Sequence, residues 1–302
     1  MKREEYKYKH LYYVPFENES FSNLAAGMIG RALGHNLNVG IINSEGKKLV
    51  EFFNSFNAGE VELIDSLYDV EEKFDLVIVD SSEFETEFLD YQLNFELVII
   101  TTQLDKYEEL VQKVDFDLVS YFNYDKKVNP KSNLTLITGN GKGKSTFCFG
   151  RYLKECIDNS NKTSLIYFDK GGDFYGERNT FSKLDVENCD FHVYGKERFD
   201  GKKFRFNNIE EDFEEVEKGL KHLDLLKNEK DLIILEEINT LIATKLSTEE
   251  KIKEILHSER PFIASGRYAP DSLKEIAAEV IEIDEVKHYV KKGVKVREGI
   301  DL

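Results

Sequence analysis

Short apolar runs alternate with longer polar stretches along the whole chain. The runs have the length and continuous hydrophobicity of buried strands, whereas apolar residues recur every three or four positions in stretches such as 22–33 and 106–113, which favour helices. Strands that alternate with helices indicate a mostly parallel sheet, so we predict an α/β fold. In the first part of the chain, the predicted strands are Leu11–Phe16, Val39–Ile42, Val61–Ile64, Asp75–Asp80, Phe95–Ile100 and Phe116–Phe122.

The alternation starts again after a polar stretch, residues 124–133, that contains Pro130. Proline and polar clusters between periodic segments favour a linker. We therefore predict two tandem domains, residues 1–128 and residues 129–302. In the second domain, the predicted strands are 134–137, 164–168, 191–194, 232–235, 262–264 and 280–283, and the predicted helices are 147–157, 208–227, 249–258 and 272–278.

A glycine-rich stretch joins the first predicted strand of the second domain to its first predicted helix. Glycine lets backbone amides approach an anion closely, and a helix N-terminus adds partial positive charge. A strand, a glycine loop, a lysine, a hydroxyl residue and a helix in this order form the context of a P-loop, which binds nucleotide phosphates. An idle turn would not need three glycines interleaved with two lysines. The residues predicted to bind ATP are Gly139, Asn140, Gly141, Lys142, Gly143, Lys144, Ser145 and Thr146.

Within this loop, the ammonium group of Lys144 is predicted to bind the phosphates, and the hydroxyl of Ser145 is predicted to bind Mg²⁺. The loop is one residue shorter than the common pattern G-x-x-x-x-G-K-[ST], because only three residues separate Gly139 from Gly143. A shorter loop cannot wrap a triphosphate in the usual register. The sequence therefore predicts a triphosphate site without specifying phosphoryl transfer.

Two further motifs follow predicted strands of the second domain. Glu236 and Glu237 end one strand, where P-loop folds place an acid that holds Mg²⁺ opposite the loop hydroxyl. The alternative is that both are surface glutamates at the end of a strand. This interpretation is weaker because the glycine loop occurs in the same predicted domain. Arg267 follows the next strand and could reach phosphate at the same sheet edge, although a surface arginine in a turn is an equal alternative. We predict Ser145 and Glu237 as metal ligands, with Glu236 assisting as a third. We predict Lys144, Glu237 and Arg267 as catalytic residues.

The formal net charge of −17 argues against general binding to nucleic acid or to an anionic membrane. No apolar run is long enough to span a bilayer and no signal-peptide core follows the N-terminus, so we expect a cytoplasmic protein. Cys148, Cys156 and Cys189 show no CxxC spacing, and we expect buried apolar residues, not metal ligands or disulfide partners.

The two predicted domains look like copies of one unit. An offset of 123 residues (145 − 22) places Ser22 on Ser145. The first copy has no glycine or lysine where the second has its loop, and it carries Glu17 and Glu19, whose charge would repel a triphosphate. We favour a degenerate repeat without a nucleotide site over the alternative that any two α/β domains look alike at this level.

Residues 134–302 resemble one family, the P-loop ATP:corrinoid adenosyltransferases. The short glycine loop is similar to the loop of that family, and Gly176-Glu177 is similar to its Gly-Glu element. The pieces occur in the family's order, which makes the resemblance specific. Further pieces are Tyr167-Phe-Asp-Lys-Gly171 for Gln-Phe-x-Lys-Gly, Leu235-Glu-Glu-Ile-Asn239 for Leu-Asp-Glu-Ile-Asn, Gly266-Arg-Tyr-Ala-Pro270 for Gly-Arg-Gly-Ala-Pro, and Val286-Lys-His288, Gly293 and Gly299-Ile-Asp301 for the C-terminal signature.

The resemblance implies that the Co(I) centre of a corrinoid, cob(I)alamin or cob(I)yrinic acid a,c-diamide, attacks the 5′-carbon of ATP and that triphosphate leaves. It implies Mg²⁺ as the cofactor, Lys170 as a further ATP-binding residue and an electron donor that reduces the cobalt. No general base is needed, because cobalt is the nucleophile. Since relatives of this kind are expected to be homodimers, we predict that residues 1–128 act as a pseudo-subunit and that the chain is a monomeric internal pseudo-dimer with one ATP site.

Three positions depart from the family's pattern. Glu236 replaces an aspartate, Tyr268 replaces a glycine, and Phe174 lies where the family often has tryptophan. These changes bear on corrinoid specificity more than on ATP binding. Two alternatives therefore stay open: another P-loop ATPase or kinase, which would form phosphate or ADP, and a non-catalytic ATP- or corrinoid-binding protein, which would form no product.

Overall fold

The computed structural model describes residues 8–15, 20–43, 46–55, 60–70, 73–86, 93–125, 131–158, 161–169, 171–172, 174–184, 186–198, 205, 207–294 and 297–301. Contacts among them divide the chain into two compact units. The first unit contains the described residues of 1–122, 174–184 and 284–302, and the second unit contains those of 123–173 and 185–283.

The first unit is built on a parallel sheet with the strand order β3-β2-β4-β5-β1-β6. β2 and β5 are buried along their whole length, as is typical of parallel strands covered on both faces. The strands are β1 Lys9–Tyr13, β2 Val39–Ile42, β3 Val61–Leu63, β4 Leu76–Asp80, β5 Glu96–Thr101 and β6 Leu118–Asp125, and the helices are α1 Ser20–Gly34, α2 Lys47–Asn54, α3 Leu104–Lys113 and α5 Gly176–Phe181.

The second unit is built on a parallel sheet with the strand order β9-β8-β10-β11-β7-β12. Its core includes fully buried side chains such as Leu136 and Leu235 from the sheet and Leu223 from a helix. The strands are β7 Leu134–Thr138, β8 Thr163–Tyr167, β9 Cys189–Val193, β10 Leu232–Glu236, β11 Phe262–Ser265 and β12 Glu279–Lys287, and the helices are α4 Lys144–Asp158, α6 Glu210–Leu226, α7 Thr240–Ala243, α8 Glu249–Leu256 and α9 Asp271–Ile276.

The two units share one strand order. When β1 to β6 of the first unit are replaced in turn by β7 to β12, the strand order of the first unit becomes the strand order of the second unit. The strand that precedes the first helix therefore has the same neighbours in both units. The last strand of the second unit, β12, ends in residues 284–287, which belong to the first unit.

The predicted α/β fold with a mostly parallel sheet is confirmed, and each predicted strand is present with small shifts at its ends. The helices α2, α5 and α7 were not predicted. α5 and α7 are shorter than two helical turns, so no periodic pattern develops, and α2 buries only Leu49 and Phe53. The compact units are not contiguous, because two segments beyond residue 129 pack in the first unit. The division at residues 128 and 129 stays a prediction.

Two local expectations about side chains need correction. Cys156 of α4 and Cys189 of β9 form a disulfide 33 residues apart in sequence, so the expectation that they are unpaired is wrong, whereas Cys148 is buried, as expected, and is not part of that disulfide. The sequence carries no sign of this pair, because it depends on how a helix end meets a strand start. The spacing of apolar residues in 208–227 predicts one apolar stripe that includes Phe213 and Val216. On α6, Val216 is buried, but Phe213 is 43% exposed.

Candidate nucleotide site

The glycine loop follows β7 and ends at the first residue of α4. Gly139 and Gly143 have φ angles of 97° and 127°, a left-handed conformation that glycine adopts without strain. A Cβ atom at Gly139 would lie 2.3 Å from the carbonyl oxygen of Ile283, so only glycine fits. The amide of Gly141 donates to that same carbonyl at 2.8 Å, which ties the middle of the loop to β12.

Lys144 is the first residue of α4, and its side chain is only 7% exposed. Its ammonium group donates to the carbonyl oxygen of Gly141 at 2.7 Å, so the side chain lies back across the loop. Thr146 is buried, whereas Asn140 is exposed and Lys142 is half-buried. The helix N-terminus therefore carries a lysine charge on the inner side of the loop, where an anion would also meet the helix dipole.

The carboxylate of Glu236 lies between two serine hydroxyl groups. Ser145 donates to one carboxylate oxygen, and Ser265 donates to the other. Glu236 ends β10 and is 1% exposed, and Ser265 ends the neighbouring strand β11 and is fully buried. The loop residue and both strand ends thus meet at the carboxyl edge of one parallel sheet, which is where open α/β sheets bind ligands.

Glu237 has different partners from Glu236. Its backbone has a φ of 62°, and its carboxylate accepts a hydrogen bond of 2.5 Å from the hydroxyl of Thr240, in the first turn of α7. We expected Glu237 to act with Ser145 and Glu236 to assist. The structure instead brings Glu236 to Ser145 and leaves Glu237 half-buried beside α7.

Asn239 is a residue of this site that the sequence analysis did not single out. Its side-chain amide donates to the carbonyl oxygens of Ile137 and Gly266, both at 3.3 Å, and its backbone amide donates to Ser265 at 3.2 Å. The side chain is fully buried. Asn239 therefore joins the ends of β7 and β11 to the segment that carries both glutamates. Asn239 is the last residue of the Leu235–Asn239 motif, and this motif is the sequence feature that could have identified it.

Arg267 lies on the loop after β11, and its side chain is exposed. Gly266 has a φ of 140°, and a Cβ atom there would lie 2.9 Å from the hydroxyl of Thr240, so this turn requires glycine. Tyr268 has a φ of 60° and is 64% exposed. The loop therefore presents an arginine and an aromatic ring to solvent at the edge that holds Ser145. Lys170 lies outside the described residues.

The oxygen atoms at this edge fit Mg²⁺. A serine hydroxyl and a carboxylate are hard ligands of the kind that Mg²⁺ prefers, and Mg²⁺ usually takes few protein ligands together with substrate phosphates. Among the described residues, no group of three or more His, Cys, Asp or Glu side chains could hold a metal ion. A metal bound by Ser145 and Glu236 would therefore need phosphate or water oxygens as well.

Among all the residues that the structure describes, no helix is long and apolar enough to cross a bilayer.

A parallel α/β unit with a short glycine loop, a lysine at the helix start and a serine-bound acid on a neighbouring strand defines a P-loop nucleotide-binding protein. The sequence profile of one family, ATP:corrinoid adenosyltransferase BtuR/CobO/CobP, matches residues 131–302, which is more than half of the chain. The chain belongs to this family of ATP:corrinoid adenosyltransferases.

Curated relatives agree with the profile. The chain is 28% identical over 182 residues to a corrinoid adenosyltransferase of a Sinorhizobium species, which covers 58% of this chain and 83% of the relative. It is 30% identical over 174 residues to the corrinoid adenosyltransferase of Escherichia coli K12, which covers 56% and 84%. The corrinoid adenosyltransferase CobA of Salmonella typhimurium is 28% identical over 174 residues, with the same coverage.

Proposed function

We propose that this chain transfers the 5′-deoxyadenosyl group of ATP to the Co(I) centre of a corrinoid and releases triphosphate. Membership in the ATP:corrinoid adenosyltransferase family supports the reaction class. The observation that carries the assignment of the site is the contact between the hydroxyl of Ser145 and the buried carboxylate of Glu236, beside the lysine of a short glycine loop.

The reaction breaks the bond between the 5′-carbon and its oxygen. Cobalt supplies the electron pair of the new cobalt–carbon bond, and the electrons of the broken bond leave with the triphosphate. Because the whole triphosphate is the leaving group, catalysis requires positive charge and hydrogen-bond donors along it. Cobalt is the nucleophile, so no side chain has to remove a proton.

The leaving triphosphate would be held by cationic side chains around the loop. Lys144 would exchange its contact with the carbonyl of Gly141 for a phosphate oxygen by a movement of the flexible end of its side chain. Arg267, on the exposed loop after β11, would contact phosphate from the end of that strand, and Lys170 stays a predicted ATP-binding residue. We assign Lys144 and Arg267 to catalysis because the charge that they meet grows as the bond breaks.

Mg²⁺ fits the same edge of the sheet. Ser145 and Glu236 would hold it, and Glu237 would assist from its position beside Thr240. When bound, Mg²⁺ would offset the negative charge of the triphosphate. Ser265 would keep the carboxylate of Glu236 oriented, because it donates to the oxygen that Ser145 does not contact.

The N-terminal half is proposed to be a pseudo-subunit without a nucleotide site, so that the chain works as a monomer. The shared strand order of the two units supports a duplicated fold. The expected repulsion of a second triphosphate rests on Glu17 and Glu19, which lie outside the described residues. Fusion would keep the two halves paired at any dilution. The corrinoid species, the electron donor and the cytoplasmic location stay predictions.

The test is product identification after incubation with ATP, Mg²⁺ and a chemically reduced corrinoid. Adenosylated corrinoid and triphosphate in equal amounts are expected. Formation of ADP or phosphate without adenosylated corrinoid would indicate another P-loop ATPase or kinase. Bound ATP with no product would indicate a non-catalytic protein.

A further inference from the structure

Helix α5 packs on α1 inside the first unit through a buried ion pair. The guanidinium of Arg31 donates to one carboxylate oxygen of Glu177 from Nε at 3.0 Å and from Nη2 at 2.5 Å. Arg31 is 6% exposed and Glu177 is 4% exposed. The hydroxyl of Thr180 also donates to the carbonyl oxygen of Gly30. A charged pair buried to this extent fixes the position of α5, because either charge without its partner would be left in a site of low polarity.

The same contact depends on close backbone approach. A Cβ atom at Gly34 of α1 would lie 1.9 Å from the carbonyl oxygen of Gly176, the first residue of α5. Any larger residue at position 34 would push α5 away from α1. The packing of α5 on α1 within the first unit therefore depends both on the absence of a side chain at Gly34 and on the ion pair between Arg31 and Glu177.

The C-terminal segment of the chain is held in the first unit by a second, partly buried network. Arg297 donates to the carboxylate of Glu96 and to that of Asp301, the latter at 3.1 Å. Its guanidinium lies 4.5 Å from the ring centroid of Tyr8 and 4.7 Å from that of Tyr289, at cation–π distance. Glu96 is 5% exposed.

Arg31 also contacts the C-terminal segment directly. Its Nη1 atom donates to the carbonyl oxygen of Ile300 at 3.4 Å, while Nε and Nη2 donate to Glu177. One arginine of the N-terminal half thus contacts both segments. The planar guanidinium with its fork of donors suits this double role, which a lysine cannot fully replace.

Both held segments lie inside the family match, residues 131–302, whereas Arg31 and Glu96 lie outside it. The alignment with the Sinorhizobium relative leaves 42% of this chain unmatched (100 − 58) but only 17% of the relative (100 − 83). This chain holds two family segments with residues that the matched region does not supply.

We propose that Arg31 and Glu96 are positioning residues through which the N-terminal half holds two segments of the adenosyltransferase half, α5 and the C-terminal segment. The inference rests on the family match and not on the chemistry proposed above. It gives residues 8–122 a specific task, which is to keep these two segments in one arrangement while the second unit carries the glycine loop.

The test is amide hydrogen exchange of the full-length chain, followed by mass spectrometry. Arg31→Met should make peptides that cover residues 174–184 and 297–301 exchange roughly tenfold faster, while peptides of β4 and α4 keep their rates. Glu96→Gln should accelerate only the C-terminal peptide. Lys73→Met is the matched control, because Lys73 makes an ion pair with Glu62 at the surface of the same unit.

Three further variants extend the test, and Gly34→Ala and Arg31→Lys keep the inference falsifiable if Arg31→Met folds poorly. Gly34→Ala should accelerate the α5 peptide by sterics alone. Arg31→Lys should restore part of the protection, and Arg31→Met combined with Glu177→Gln should add little to the single changes, since both remove one interaction. Unchanged exchange of residues 174–184 in Arg31→Met and Gly34→Ala would overturn the inference, as would fully additive effects. Because no turnover is measured, failure of the proposed reaction would not affect this result.

Discussion

Across the carboxyl edge of the second unit's sheet, the hydroxyl of Ser145 donates a hydrogen bond to the carboxylate of Glu236, 91 residues away in sequence. The contact brings the loop hydroxyl and a strand-end acid into the arrangement that P-loop proteins use for Mg²⁺. It also distinguishes the two adjacent glutamates, because Glu237 contacts Thr240 instead.

The first prediction concerns these glutamates. Glu236→Gln keeps the size of the side chain but removes its charge, so the Mg²⁺ concentration for half-maximal activity should rise by roughly tenfold, which corresponds to about 1.4 kcal/mol. Glu237→Gln should have a smaller effect. Titration of activity with Mg²⁺ measures both. A larger shift for Glu237→Gln would show that the roles are reversed.

The second prediction concerns the loop lysine. Lys144→Ala removes a charged donor to the triphosphate and should lower kcat/KM by roughly 30- to 150-fold, equivalent to about 2–3 kcal/mol. Thermal unfolding should change little, because the hydrogen bond that the ammonium donates to the carbonyl oxygen of Gly141 stays within the loop. Lys154→Ala, on the same helix, is the control and should keep activity. Equal turnover of Lys144→Ala and the native chain would remove the loop from the active site.

The parts of this site that the sequence predicted are those with a local signal. Gly139 to Ser145 form one continuous motif, and Glu236 ends an apolar strand, so both could be assigned from short stretches. Ser265 was missed as a partner of Glu236, because that contact depends on the register between two strands.

The same limit explains what was missed in the fold. Apolar runs predicted each strand, but no pattern in the chain shows that α5 packs against α1 or that Cys156 meets Cys189. These contacts join segments far apart in sequence. They become visible only when the sheet order and the helix positions are known.

The third prediction tests the link between strand ends. Asn239→Ala removes two buried donors and leaves the carbonyl oxygens of Ile137 and Gly266 without them, so the free energy of unfolding should fall by about 1–3 kcal/mol. Chemical denaturation measures this change. Asn228→Ala, at an exposed position after α6, should have little effect. Similar losses in both variants would contradict the role given to Asn239.

The fourth prediction concerns pH. Burial, and then the neighbouring ring of His222, holds the pKa of His192 below its usual range. The unfolded chain therefore binds a proton at His192 first, near a pH of about 6.5, and stability is lost as the pH falls through that value. His192→Gln should reduce the fall in Tm between neutral and mildly acidic pH. His257→Gln, at an exposed position after α8, should leave that fall unchanged, and an unchanged fall in His192→Gln would refute the prediction.

The fifth prediction concerns stoichiometry. If the N-terminal half is a pseudo-subunit, calorimetric titration with ATP should give one site per chain, and light scattering should give the mass of a monomer, 35.0 kDa. Because the two units share one strand order, each could hold an ATP site, and the number of sites per chain distinguishes one active unit from two. Two equivalent sites, or a stable dimer, would rule out the internal pseudo-dimer.

The proposed reaction breaks the bond between the 5′-carbon and the bridging oxygen of ATP, and an isotope label shows which bond is broken. ATP that carries a heavy oxygen isotope at the bridging 5′-oxygen would be incubated with Mg²⁺ and a reduced corrinoid, and both products would be analysed by mass spectrometry. Attack at carbon predicts that the label leaves entirely with the triphosphate, while the corrinoid gains an unlabelled 5′-deoxyadenosyl group. Recovery of the label in the nucleoside product would contradict the account.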